Sequence, residues 1–174
     1  ITLARHRYTA PVAGAPKRAS VQVPATSANL GPGFDCLGLA LDIHLRVSCA
    51  VTAAGLRIEV SDPGISTGED NLVYQAMLAV WAAAGASPPP GLELRIESTI
   101  PLSRGLGSSS AAIVAGLLLA DALLDARFDR SRLLAIGLPL EGHPDNLAPA
   151  LFGGMVTSAI AAEEVLVQPV PLPR

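Results

Sequence analysis

Lys17 is the only lysine among 174 residues, and aromatic residues make up only 3% of the chain. The scarcity of lysine excludes the common nucleotide loop, where a lysine follows the glycines and reaches the terminal phosphates. With so few aromatics, a core has to be assembled from Ala, Val, Leu and Ile; half the chain is apolar, enough for a globular fold. Twelve Lys and Arg against 15 Asp and Glu leave a net charge of −3. That balance excludes nucleic acid as a main partner, because backbone phosphates are bound by basic clusters. The longest apolar run, Ala111 to Ala120, is broken by Asp121 and is far shorter than a bilayer requires, so no membrane span is expected. Cys36 and Cys49 lack metal-ligand spacing. Reduced thiols in a cytoplasmic protein are expected, with a disulfide as the alternative.

The length suits a single domain over residues 20–174, preceded by a flexible extension over 1–19. Ile1 opens the chain and the last stretch carries Pro169, Pro171 and Pro173 without a closing element, so both ends look cut. Residues 1–20 hold Arg5, Arg7, Lys17 and Arg18 and no acidic residue. That composition fits a transit peptide, an unstructured extension or an upstream start of translation.

Alternation predicts a short strand over Ser20–Ala25, then a turn-rich connection from Thr26 to Asp35 containing Gly31, Pro32 and Gly33. Leu37 to Val51 reads as a long strand, with Leu39, Leu41, Ile43, Leu45 and Val47 alternating with Asp42, His44 and Arg46. Leu56–Val60 is the next strand, ended by Asp62, Pro63 and Gly64. The spacing of Leu72, Ala76, Leu78 and Val80 predicts a helix over Asn71–Ala84, stopped by Gly85, Ser87 and the prolines that follow. Leu92–Ser98 is a strand leading into a glycine-rich loop. A helix after the loop runs to about Ala126, and Ser131–Leu138 is helical; Phe152–Ala159 and Val165–Val170 read as late strands. This mixed order predicts an α+β fold with helices on one face of a sheet.

Three strings carry chemistry. The first is Pro101-Leu102-Ser103-Arg104-Gly105-Leu106-Gly107-Ser108-Ser109-Ser110-Ala111, running directly into an apolar helix. Its glycines permit positive φ and close approach to a ligand, and the serines can cap the helix. Free amides at the helix start and the positive end of its dipole make a phosphate site. Neither a P-loop nor a dinucleotide fingerprint is completed, so phosphate charge falls to backbone amides, a metal ion and Arg104. Read blandly, the string is a capped helix after a turn.

The second string, Pro24 to Gly38, offers Asn29 and Asp35 within a rigid connection, which could also be no more than a long β-connection. The third packs Glu141, His143, Asp145 and Asn146 into six positions, a density that metal and acid–base chemistry both use. Taken singly, His143 suits a surface or capping role and Asp145 a helix cap.

The first string resembles the phosphate loop of the GHMP kinases, and all three strings stand in that family's order. The second and third are most similar to the members that phosphorylate homoserine. The resemblance implies a GHMP amino-terminal domain with a mixed or antiparallel sheet and a left-handed β-α-β unit. It implies ATP and Mg2+, with residues 101–111 and Asn71 at the nucleotide and with Ser109 and Glu141 as magnesium ligands. L-homoserine would lie against Asn29, Asp35, His143 and Asp145, a carboxylate suiting its ammonium group. Ser109, Glu141 and Asn146 would carry catalysis.

Some relatives place an aspartate base near the attacking hydroxyl. Asn146 takes that place here and cannot accept the proton, which implies catalysis by positioning and electrostatics, with Asp145 the second candidate for a base. Family members continue into a second domain whose glycine-rich motif and arginines help hold the substrate carboxylate. This chain resembles an amino-terminal half. A mevalonate-kinase-like activity and a non-catalytic nucleotide-binding fragment stay open, as does a homodimer.

Overall fold

The computed structural model of the protein describes residues 6–7, 17–124, 128–162 and 164–171. Its framework is a seven-stranded sheet. Strands β1 (His6–Arg7), β2 (Arg18–Leu30) and β3 (Gly33–Thr52) are antiparallel neighbours. The 20-residue β3 is the spine. Its second half, Leu45–Thr52, pairs with β5 (Gly91–Ser98), while Leu37–Leu39 pairs with β6 (Met155–Ala161). Strand β7 (Glu164–Val170) extends the sheet beyond β6. Strand β4 (Gly55–Val60) lies parallel to β5, and the helix α1 (Leu72–Ala83) connects them as a β-α-β unit.

Alternation explains why one face is covered. Val21, Val23, Leu45, Val47, Leu92, Leu94 and Ile96 are buried, while Arg46, Ser48, Arg95 and Glu97 between them reach solvent. The buried face meets α2 (Ser108–Leu124), which is apolar nearly all round and lies at the centre of the helical layer. Gly116 makes this possible, since a Cβ there would overlap the carbonyl of Val73 in α1. Helices α3 (Arg130–Glu141) and α4 (Pro144–Phe152) complete the layer. Lys17 Nζ donates to the carbonyl of Leu123 at 3.3 Å, placing the chain's only lysine at the negative end of α2. Cys36 and Cys49 are free thiols, and burial pushes Cys49 up to about 12.

Several boundaries differ from the sequence reading. The expected turn over Thr26–Asp35 contracts to two residues, Gly31 and Pro32, because both strands continue through it. Phe152, expected in a strand, ends α4; Gly153 and Gly154, both at positive φ, separate it from β6. Most of the expected extension, residues 1–5 and 8–16, lies outside the described residues, as does the expected helix end at Ala126; β2 already starts at Arg18. Among the described residues no helix is long and apolar enough to cross a membrane.

Candidate active site

The loop from Pro101 to Gly107 hands the chain to α2, and its geometry leaves backbone amides without a partner in the helix. The first bond of the helix runs from the Ala111 amide to the Gly107 carbonyl at 2.9 Å, so the amides of Ser108, Ser109 and Ser110 have no partner within α2. Gly107 sits at φ +62 with no room for a side chain: a Cβ would overlap Thr26 Oγ1 and come within 3.1 Å of Asn146 Oδ1. The serines do not cap the helix, as their composition suggested; they form its first turn. Ser109 Oγ and Ser110 Oγ donate instead to Glu141 Oε1, at 2.8 and 2.6 Å, across to the last residue of α3.

A cavity of about 700 Å³ opens in front of this turn, within the usual range for small-molecule sites. Its wall includes Asn29, Asn71, the whole run from Pro101 to Ser109, Glu141 and Asn146, which the sequence singled out separately. Arg104 is the one Lys or Arg among the described residues lining it. Gly64, Ile65, Ser66 and Asp70 form a wall that the sequence reading did not assign.

Asn71 is 3% exposed, and its amide is committed within the fold. The oxygen caps α1 by accepting from the amides of Val73 and Tyr74, and the nitrogen donates to the Ser66 carbonyl at 2.6 Å. It therefore holds the start of α1 in place while lining the cavity.

Three of the four residues expected at the substrate, Asn29, Asp35 and Asp145, are joined by hydrogen bonds. Asn29 Oδ1 accepts from the Asp35 amide at 2.8 Å, and Asn29 Nδ2 donates to Asp145 Oδ2 at 3.1 Å. Asp145 Oδ1 accepts from the Asn146 amide at 2.9 Å. Asp145 is 4% exposed, so its carboxylate orients Asn29 and the first turn of α4 from behind the cavity. Gly38 brings α4 this close to β3, since a Cβ there would overlap the Asp145 carbonyl. Pro149, four residues on, has no N–H to bond that carbonyl. The Asp35 side chain and His143 are exposed, and of the four expected substrate residues only Asn29 lines the cavity. His143 occupies the N-cap of α4 without a side-chain cap bond.

Asn29, Asp35 and Ser103 adopt φ of +58, +56 and +56. Ala162 is the only other non-glycine residue at positive φ among the described ones. Each such residue costs about 1 kcal/mol or more, and backbone strain of this kind gathers at functional sites.

The donor set fits magnesium. An octahedral ion with ligands at ~2.1 Å spaces neighbouring oxygens by about 3 Å. Ser109 Oγ and Glu141 Oε1 are 2.8 Å apart. One carboxylate and one hydroxyl leave the other positions to phosphate and water, as this ion prefers. Among the described residues no group of three or more His, Cys, Asp and Glu could hold a metal without such help.

Sequence reasoning missed Thr26. It is fully buried; its amide donates to the Leu106 carbonyl at 3.1 Å and its hydroxyl to Asn146 Oδ1 at 2.8 Å. No local pattern could have identified partners 80 and 120 positions away.

Comparison with known proteins shows which sequences and folds the chain is similar to. Residues 71–154 match the GHMP kinases N terminal domain. A homoserine kinase of Synechococcus sp. (strain CC9902) is 46% identical over 154 residues, covering 85% of this chain and 49% of the relative. One from Carboxydothermus hydrogenoformans is 46% identical over 157 residues, covering 88% and 51%. The chain thus spans about half the length of the curated relatives it matches. The crystal structure of homoserine kinase from Cytophaga hutchinsonii superposes with a TM-score of 0.78 at 32% identity, covering 90% of this chain and 52% of that one. Mevalonate kinase from Methanococcus jannaschii shares the fold, with a TM-score of 0.71 at 15% identity, covering 89% and 56%.

Proposed function

We propose that this chain, which belongs to the GHMP kinase family, carries the nucleotide-binding part of a homoserine kinase, one that turns ATP and L-homoserine into ADP and O-phospho-L-homoserine, a step towards threonine. The observation that carries this reading is the meeting of Ser109, Ser110 and Glu141 at the amide end of α2, with Ser109 and Glu141 on the wall of one cavity together with Asn29 and Asn146. The two free thiols suit a reducing cytoplasm.

The triphosphate would lie along Pro101–Ala111. Backbone amides of the first turn of α2 and Arg104 face its negative charge, in the absence of a loop lysine. Ser109 and Glu141 would hold Mg2+, which when bound neutralises charge growing on the β–γ bridge. The substrate hydroxyl attacks the γ-phosphorus, a new O–P bond forms and the bond to the bridging oxygen breaks. Asn146 Oδ1 already accepts from Thr26, and an amide side chain cannot take the leaving hydroxyl proton. Asp145 is buried and bonded through both oxygens, which disfavours it as a base. The proton goes to water or to phosphate, and the enzyme contributes alignment and charge. Asn29, with Asp35 and His143 nearby on the exposed side, would receive the amino-acid end of homoserine.

ADP release by the full-length enzyme with L-homoserine or mevalonate tests this. Turnover with homoserine and none with mevalonate is expected. The reverse preference would move the protein to another branch of the family.

A further inference from the structure

We infer that Thr26 is a positioning residue that fixes the phosphate loop relative to Asn146, and so sets the gap across which the phosphoryl group travels. The inference rests on the reading of the site given above. Thr26 touches both sides of the reaction. Its amide donates to the Leu106 carbonyl in the loop, and its Oγ1 fills the space that a side chain on Gly107 would need. The same oxygen donates to Asn146 Oδ1 at 2.8 Å. One buried residue, through its backbone amide on the loop side and its hydroxyl on the other, therefore ties the phosphate loop to α4.

The strand is built to deliver it. Up to Pro24 the register between β2 and β3 is regular, with Pro24 opposite His44. It then breaks, and Thr26 stands opposite Ala40. Alternation ends at the same place, Val23 to Thr26 being buried in succession. The extra residues lie in β3, where Leu41 to Ile43 stand across from Ala25 alone, and just beyond this irregularity Thr26 is buried between the loop and α4. With its one hydroxyl proton given to Asn146 Oδ1, Thr26 fixes that amide's orientation and leaves Nδ2 as its free donor.

The test uses the full-length enzyme with three substitutions. Thr26→Val keeps the shape and removes the hydroxyl, Thr26→Ser keeps the hydroxyl, and Thr26→Ala replaces the valine variant should that one fail to fold. Misplacement by an ångström costs alignment-dependent reactions on the order of 100-fold. Thr26→Val is expected to lower kcat about 10- to 100-fold with the KM for ATP changed less than about 3-fold, and Thr26→Ser to restore most of it. In an Asn146→Ala background Thr26→Val should add almost nothing, because the two act as a unit. Wild-type kcat in Thr26→Val, or losses that multiply in the double variant, overturns the inference.

A second readout separates this outcome from failure of the homoserine assignment. In protein labelled with 15N-asparagine, Mg-ATP should move the Asn146 side-chain amide resonance in wild type and Thr26→Ser, and not in Thr26→Val. Coupling seen by this route without homoserine turnover would remove the substrate and keep Thr26. A resonance indifferent to nucleotide in wild type, or equally responsive in Thr26→Val, would remove Thr26.

Discussion

Replacing Gly107 with alanine should damage the protein in two separable ways, and Gly105→Ala gives the matched control. Both glycines lie at positive φ, +62 and +69, so each substitution incurs a backbone cost of about 1–2 kcal/mol. Beyond that they diverge. A Cβ on Gly105 meets nothing within 4 Å, whereas one on Gly107 overlaps Thr26 Oγ1. Thr26 is fully buried and bonded to Asn146, so it cannot turn aside without breaking that bond. Overpacking of this kind adds about 1–3 kcal/mol. The total for Gly107→Ala is therefore about 2–5 kcal/mol, against about 1–2 for Gly105→Ala. At roughly 2–4 °C per kcal/mol, Tm should fall by about 4–20 °C in the first variant and by about 2–8 °C in the second. A protein with ordinary stability of ~5–15 kcal/mol remains largely folded below the new Tm. Calorimetry on the folded Gly107 variant should show Mg-ATP affinity lowered at least tenfold, because the displaced loop no longer aims its amides at phosphate. Equal Tm values for the two variants would refute the packing argument; unchanged affinity in Gly107→Ala would remove the loop from the nucleotide site.

Ser109→Ala and Glu141→Gln should each lower kcat by about 100-fold or more while moving substrate KM values far less, since the lost charge neutralisation acts in the transition state; steady-state kinetics with titrated magnesium reads this. Asp35→Asn should raise the KM for homoserine several-fold and leave that for ATP nearly unchanged; the opposite pattern would assign Asp35 to the nucleotide side. Asn71→Ala removes the α1 cap and the tie to Ser66, and denaturant unfolding should show a loss of about 1–2 kcal/mol.

Elements with a strong local period were legible in the sequence. The long alternating strand, α1 with its capping Asn71 and the serine-rich start of α2 all declare themselves within a few residues. Helix α4 does not. Pro144 at its first position and the glycines after it suit helix ends, but Pro149 inside so short a segment argues against the helix that packing on Gly38 permits. Individual site residues were legible as types, but not in their partners. That Ser109 and Ser110 share one oxygen of Glu141 depends on where α3 ends in space, 32 and 31 positions along. Asn71 shows the converse: its polar character was plain, while its commitment to Ser66 and the α1 amides needed coordinates.

The pairing of β3 with β6 has a consequence during synthesis. Leu37–Leu39 finds its partner strand only at Met155–Thr157, so this stretch of sheet edge must wait for well over a hundred further residues to be translated. At ~5–20 residues per second that wait is on the order of ten seconds. Throughout it, Leu37 and Leu39 leave the ribosome beside an unfilled strand position, and Thr26 and Asn29 have no α4 to bond. The nascent chain thus offers an apolar edge to chaperones or to neighbouring chains before it has any site to protect. Synonymous codons that slow translation between β5 and β6 would lengthen this window without altering a residue of the mature fold.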